Sequence, residues 1–302
     1  MGKHRLEVGL MLRQAILISS MLYSAEAWSD ITEKQLARME VVDSALLRRL
    51  TGGHVKCATE FLHLETGTWK LRHHLTYLRL MYHHHILLRD NSETIKKIYE
   101  KQKTNYVKGD WFQLLLKDFE FINKEMDEKE ISEMSKDMYK KIVKELINKA
   151  VFTFFMNQKQ AHSKLDGVDY SRLEPQPYLT SNKINTTQKE LLFNLRSSCH
   201  KSKNHFKKLY KNNVECSLGC PQVEDQRHSF ITCEKIPNQI CHAIYEDIFG
   251  TLTQQEQVTK IFAKIDFLRK HTEKNHISPG RGDCQDSCTF NLLNGAADFI
   301  SC

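Results

Sequence analysis

The feature that most restricts the fold of this 302-residue chain is its scarcity of residues that stop helices. It contains 12 glycines and 5 prolines, about half of what average usage of roughly 7% and 5% would give. The first proline is Pro175, so more than half of the sequence runs without the strongest helix breaker. Sandwiches and barrels need many turns rich in glycine and proline, and we therefore expect a mainly α-helical fold.

The overall composition indicates a basic protein with enough apolar residues for a core. Hydrophobic residues make up 40% and charged residues 27%, with a mean hydropathy of −0.51, which argues against an integral membrane protein. The net charge of +7 permits nucleic-acid binding without requiring it. The nine cysteines are odd in number and scattered. They favour a reducing, intracellular location, nuclear or cytoplasmic, over a disulfide framework.

The N-terminal part has clear helix signals. A helix with one apolar side is predicted over 8–28; its apolar run also resembles a secretory signal, but Arg13 borders that run. Thr32 and Gln35 have the spacing of a capping box, and Gly52 and Gly67 are placed to end the next two helices.

Two longer helices are predicted further along, over 69–88 and 127–165. The second is expected to turn a charged face to solvent and to bury one apolar stripe, formed by Ile131, Met134, Met138, Ile142, Leu146, Ala150 and Phe154. On the first, a run of histidines spreads over several faces, so no metal site is expected there. Together with Arg72, Arg79 and Arg89 these histidines are predicted to form a basic helix face.

Pro175 and Pro177 indicate the main boundary in the chain, because residues before proline avoid helical geometry. We predict five segments: helical regions over 1–90 and 91–172, a linker over 173–187, a small helical module over 188–272 and a flexible tail over 273–302.

The strongest chemical signal is the pattern Cys216-x3-Cys220-x7-His228-x4-Cys233. Zinc prefers four thiolate or imidazole ligands in a tetrahedron, and a fully occupied set predicts a structural site. Cys199, His200, Cys241 and His242 lie near enough in sequence to replace a ligand, and Cys284-x3-Cys288 is a weaker pair in the tail. The alternative is that these are unrelated buried side chains.

A basic segment precedes this pattern and interleaves lysines with aromatic residues. Lysines neutralise phosphates and aromatic rings stack on unpaired bases, which predicts contact with RNA or DNA through Lys203, Lys207, Lys208 and Lys211. Spacing of four between Phe206 and Tyr210 equally fits a helix that buries its rings and leaves its lysines in water.

Several catalytic signatures are missing from the sequence. It has no glycine-rich phosphate loop, no Gly-x-Ser-x-Gly, no His-Glu-x-x-His and no Asp-Asp pair of the kind a polymerase palm uses. We therefore expect that the chain is not an enzyme.

Short motifs in a fixed order resemble the region that follows the palm in LINE-type (non-LTR) retrotransposon reverse transcriptases. The resemblance covers about 8–235, although the Cys216/Cys220 spacing is one residue longer than usual and Ser197-Ser198-Cys199 replaces a more basic run. The motifs are Met21–Trp28, Leu36-x2-Met39-Glu40, Leu46–Arg49, Leu62-x-Leu64-Glu65-Thr66-Gly67, Gly109-Asp110-Trp111, Gln176–Leu179, Leu191-Leu192-Phe193-x-Leu195-Arg196-Ser197 and Glu224-Asp225-Gln226-x-His228.

The resemblance implies a thumb-like region over 1–90, a connector over 91–172 and a zinc knuckle proposed to contact nucleic acid, without polymerase activity because the palm is missing. The leading hypothesis is a non-catalytic, retrotransposon-derived fragment that binds RNA or DNA weakly. The alternatives are an α-helical protein-interaction module whose zinc is purely structural, and a decayed element fragment without a selected function.

Overall fold

The computed structural model describes residues 5–29, 31–105, 107–125, 127–160, 168, 170–182, 185–197, 199, 215 and 220–223. Of these residues 71% are helical, which confirms the expected mainly α fold. Within them, strand pairing is limited to two isolated antiparallel bridges, Thr66 with Pro175 and Glu215 with Val223. No helix in the described part of the chain is both long and apolar enough to cross a membrane.

The N-terminal helix differs from the single element predicted over 8–28. It consists of α1 (Arg5–Leu12), a π-helical stretch (Arg13–Ile18) and α2 (Ser19–Met21), and a 3-10 turn (Ala25–Ala27) follows. The chain leaves the helix near Ser24, which has a left-handed φ of 54°. The π-helical stretch, a form that is rare outside single-turn bulges, begins at the buried Arg13.

The next three helices begin and end close to the predicted positions. They are α3 (Glu33–Thr51), α4 (Thr59–Thr66) and α5 (Leu71–Leu87). The Thr32–Gln35 capping box is present, and Gly52 and Gly67 both adopt left-handed φ at the helix ends. At Gly67 a side chain would also collide with the backbone of Glu174 and Pro175, since an added Cβ would lie 2.4 Å from the Glu174 carbonyl carbon.

The middle of the chain folds into four helices, and here the predicted long helix over 127–165 is wrong. The helices are α6 (Thr94–Thr104), α7 (Trp111–Phe121), α8 (Glu128–Glu133) and α9 (Lys136–Gln160). The predicted stripe is displaced by one residue: Met138 is 56% exposed. The core instead receives Tyr139, Val143, Ile147, Val151 and Phe155.

This displacement has a simple physical cause. α9 carries two adjacent apolar stripes, and periodicity alone cannot say which of them meets the body. The buried stripe, from Tyr139 to Phe155, supplies aromatic and β-branched side chains to α4 and α5, which both pack on α9. The neighbouring residues Ile142, Leu146 and Phe154 remain half-buried at its edge.

Helix α5 lies at the centre of the molecule. It packs against α3, α6, α7, α8, α9 and the 3-10 turn. Leu80 and Ile86 belong to the main hydrophobic core. Leu71 and Leu75 belong to a smaller cluster that includes Ile18 and Leu36. Five helices and the 3-10 turn therefore have α5 as a common neighbour.

Residues 173–176, which we call the proline segment, are packed onto the helical body. Leu173 is buried, and the backbone N–H of Gln176 donates to the carbonyl of Glu65 at 2.9 Å. Two helices follow, α10 (Pro177–Thr180) and α11 (Thr186–Arg196), and both contact the N-terminal half of the chain. The main core contains residues from each of the first four predicted segments. The five-segment division itself stays a prediction.

Candidate functional site

A fully buried ion pair joins α4 to α11, the last described helix of the chain. The Nε of Arg196, in α11, donates to Oε1 of Glu65, in α4, at 2.9 Å. Tyr170 donates its hydroxyl to Oε1 of the same carboxylate at 2.6 Å, and Tyr178 donates to Oε2 at 2.5 Å. The guanidinium lies 5.8 Å from the Tyr170 ring centroid and 5.9 Å from that of Tyr178.

The electrostatics of this centre indicate a structural role. Burial and the Glu65 charge raise the pKa of both tyrosines well above their ordinary value, so both hydroxyls stay protonated as donors. The pKa of Arg196 is also raised: burial acts to lower it, but Glu65 and the tyrosines outweigh that effect. A charge pair of this kind costs desolvation, and it persists only where its hydrogen bonds are made. Because Glu65 and Arg196 are 0% exposed, the centre offers no access for a substrate.

Three motifs that carry the family resemblance meet at this centre. Glu65 comes from the Leu62–Gly67 motif, Tyr178 from Gln176–Leu179 and Arg196 from Leu191–Ser197. Two further motifs also touch, since the Trp111 indole N–H donates to the carbonyl of Glu26 at 2.6 Å. Motifs far apart in sequence are therefore neighbours in space.

The predicted basic face of α5 is wrong, because most of its members are buried or paired. Arg79 is held by Asp118 with Nε–Oδ2 at 2.5 Å, and Arg72 pairs with Glu40 at 3.1 Å. Only Arg89 and His85 of that group are exposed. The sequence of α5 alone does not reveal this pairing, because the acidic partners lie on other helices.

The buried histidines are packed as neutral rings. His73 stacks on Phe121 with ring centroids 5.3 Å apart, and His63 stacks on Phe155 at 5.4 Å. His83 shares a 3.0 Å hydrogen bond with the hydroxyl of Tyr99. Burial lowers the pKa of His73 to about 3 and of His83 to about 4, and it holds the pKa of His63 well below its ordinary value.

The predicted zinc ligands Cys216, His228 and Cys233 lie outside the described residues, as do Lys203, Lys207, Lys208 and Lys211. Cys220 is described and buried, and Glu215 and Val223, which flank it in sequence, form an isolated antiparallel bridge. Among the residues that are described, no cluster of His, Cys, Asp or Glu could hold a metal ion. The zinc site and the lysine contacts therefore stay predictions.

Cys199, named as a possible replacement ligand, has a different neighbour. It is buried beside Cys57, whose thiol pKa is raised by their mutual hydrogen bond and by burial. Both side chains join the main core.

An open cleft of about 710 Å³ lies between the N-terminal helix, the end of α4, α5 and α9. Its walls carry Trp69 and Tyr77, whose ring centroids are 6.0 Å apart. Two lysines of α9, Lys140 and Lys144, line its edge, and the ammonium group of Lys144 lies 5.9 Å from the Tyr77 ring centroid. The cleft was missed by the sequence analysis because its residues come from four separate elements.

The described residues thus define a mainly α-helical protein with a closed polar centre and an open basic, aromatic cleft. Comparison with protein-family models gave no match. No curated protein and no solved structure matched the chain significantly.

Loss of the Glu65 charge should strongly destabilise the fold. We expect Glu65→Gln to lower the free energy of unfolding by about 3–5 kcal/mol, because the Arg196 charge stays buried without its counter-charge. The matched control is Glu93→Gln, which breaks the exposed 3.7 Å pair with Arg89 and should cost less than about 1 kcal/mol. Urea denaturation measures both values. Equal, small losses would show that the buried pair contributes nothing special.

Acid should destabilise the protein below about pH 6.5, the ordinary histidine pKa. Below this pH the histidines of the unfolded chain become protonated. In the folded protein His63, His73 and His83 stay neutral, because burial lowers their pKa. Each such histidine removes about 1.4 kcal/mol of stability per pH unit as the pH falls from 6.5 towards its folded-state pKa.

Urea midpoints between pH 7.5 and 5 test this acid dependence. His73→Phe, which suits the ring cluster of Phe121, Phe154 and Phe155, should reduce the slope by about 1.4 kcal/mol per pH unit. The exposed control His85→Gln should change the slope far less. A stability that is constant from pH 7 to 5 would contradict the neutral, buried histidines.

Proposed function

We propose that the chain is a non-catalytic nucleic-acid-binding fragment related to the post-palm region of LINE-type reverse transcriptases. The observation that carries the proposal is the meeting of its motifs. Glu65, Tyr178 and Arg196 come from three separate motifs and form one buried network. Trp111 and Glu26 belong to two further motifs, and the indole N–H of Trp111 donates to the carbonyl of Glu26. These contacts join motifs that lie far apart in sequence, which supports treating them as one set.

The proposed partner is RNA or DNA, bound weakly and inside the cell. The chain has a net charge of +7, and its basic segment supplies Lys203, Lys207, Lys208 and Lys211. Phosphate neutralisation by lysines provides affinity that does not depend on sequence. A zinc ion held by Cys216, Cys220, His228 and Cys233 would order the loop-rich module beside these lysines.

A protein-interaction module with a purely structural zinc is the second candidate, and one observation favours it. Val8, Met11, Leu12 and Ile16 form a stripe on the N-terminal helix, and each is at least 51% exposed. Exposed apolar stripes of this kind are typical of surfaces that pack against another helix.

Salt dependence of binding tests the nucleic-acid proposal directly. We expect the affinity for a single-stranded oligouridylate, measured by fluorescence anisotropy, to fall as salt rises. Exchange of Lys203, Lys207, Lys208 and Lys211 for alanine should reduce the slope of log K against log salt by about 3, because each phosphate contact contributes about 0.7.

Four exposed lysines elsewhere, Lys97, Lys101, Lys117 and Lys129, provide the matched control with the same loss of charge. Their exchange for alanine should change the slope by much less. An affinity that does not vary with salt, or equal effects of the two quadruple variants, would contradict the assignment. Capture of a protein partner without nucleic acid after nuclease treatment would favour the second candidate.

Zinc content tests the knuckle. Mass spectrometry of the native protein should find one zinc per chain. The double exchange Cys216→Ser and His228→Ala should abolish it, since loss of two ligands leaves too few for a structural site. Cys284→Ser, in the tail pair, should leave it unchanged. A folded wild-type protein without zinc, judged by circular dichroism on the same sample, would refute the knuckle.

A further inference from the structure

The cleft beside α5 and α9 has the size and lining of a small-ligand site. Its volume of about 710 Å³ falls within the range of roughly 300–1,000 Å³ that is usual for such sites. Apolar side chains such as Leu10, Ile18 and Leu78 form part of the wall, and polar groups stand at the edge. This combination suits a ligand with one flat apolar part and one charged part.

The charge of the cleft is positive. Arg13, Lys140 and Lys144 line it, and no carboxylate is among the lining residues that the structure describes. Arg13 is already neutralised by Asp43, with Nε–Oδ1 at 2.5 Å. The two lysines are exposed, and they stand one turn apart on α9. The positive charge that remains is therefore that of Lys140 and Lys144, and an anion at the α9 edge would match it.

The aromatic residues of the cleft are held in place before any ligand arrives. The Trp69 indole N–H donates to Oδ1 of Asn148 at 2.8 Å, which fixes the ring against α9. His74 lies 5.2 Å from the Trp69 ring and Tyr77 lies 6.0 Å from it. Trp69 and Tyr77 are half-buried residues, whereas the Nε2 atom of His74 is buried. Fixed, partly open rings beside lysines are the combination that single-stranded nucleic-acid sites use, since every base has a face that can stack.

We propose that this cleft binds an unpaired nucleotide of a single-stranded nucleic acid. The base packs against Trp69 and Tyr77, and Lys140 and Lys144 neutralise the adjoining phosphates. The inference rests on the proposed nucleic-acid binding and adds a second contact region to the lysines of the C-terminal module. An acidic peptide would satisfy the lysines but would leave the rings without a partner, so the observations favour the nucleotide.

The experiment compares two double variants of α9 that change the net charge equally. Lys140→Glu with Lys144→Glu alters the cleft, whereas Lys141→Glu with Lys149→Glu alters exposed positions of the same helix outside it. The probe is a labelled oligouridylate, with uridine monophosphate as a separate competitor. The cleft variant should weaken binding of the strand at least about fivefold more than its control and lower the salt slope by about 1.4 more.

A second pair of variants examines stacking without a change of charge. Tyr77→Leu should weaken strand binding at least about fivefold. Tyr82→Leu, at a half-buried tyrosine of α5 that packs on Trp111 outside the cleft, should not. Urea denaturation of each variant tests whether the fold is intact. If a tyrosine variant does not fold, the lysine double variants of α9 decide the question alone.

Each outcome decides the proposal. Strand binding that is equally affected by cleft and control variants would overturn the cleft while leaving the proposed function intact. If wild-type protein binds neither the strand nor uridine monophosphate, the proposed function and the cleft both fail. Lysine-dependent binding of uridine monophosphate without strand binding would replace the strand by a free nucleotide, and binding of an acidic peptide alone would overturn both nucleotide forms.

Discussion

The Glu65–Arg196 ion pair is the interaction on which the arrangement of the outer elements depends. It attaches α11 to α4, and through Tyr170 and Tyr178 it also fixes the proline segment and α10. Its members are separated by as many as 131 residues in sequence. A buried carboxylate that accepts three hydrogen bonds has few alternative arrangements, because each lost donor would leave a charge unsatisfied. Tyr170 and Tyr178 are consequently held against α4.

Local signals in the sequence predicted much of the secondary structure. The Thr32–Gln35 capping box and the glycines that end α3 and α4 act within a few residues, so their effect can be derived without knowledge of the fold. The stripe of α9 could not be derived in this way, because Val143 and Ile142 are equally apolar and only the neighbouring helices select between them. Arg13 shows the same limit, since its partner Asp43 lies on another helix.

The candidate sites show a similar division between local and tertiary information. The cysteine and histidine pattern was visible in sequence because metal ligands recur at short, regular spacings. The cleft had no such signal: Trp69, Tyr77 and Lys144 become neighbours only after α5 packs against α9. The histidines of α5 gave a misleading signal, because their rings serve as neutral core residues. Composition alone does not distinguish a basic face from a buried aromatic one.

The closed centre stabilises the fold, and we propose that the open cleft and the lysine segment contact nucleic acid. Photo-crosslinking of a bound 4-thiouridine strand, followed by mass spectrometry of the cross-linked peptides, tests this most directly. We expect cross-links to Trp69 or Tyr77 in the cleft and to the segment from Lys203 to Lys211. A bound strand whose cross-links fall in neither region, or a chain that binds no strand, would contradict it.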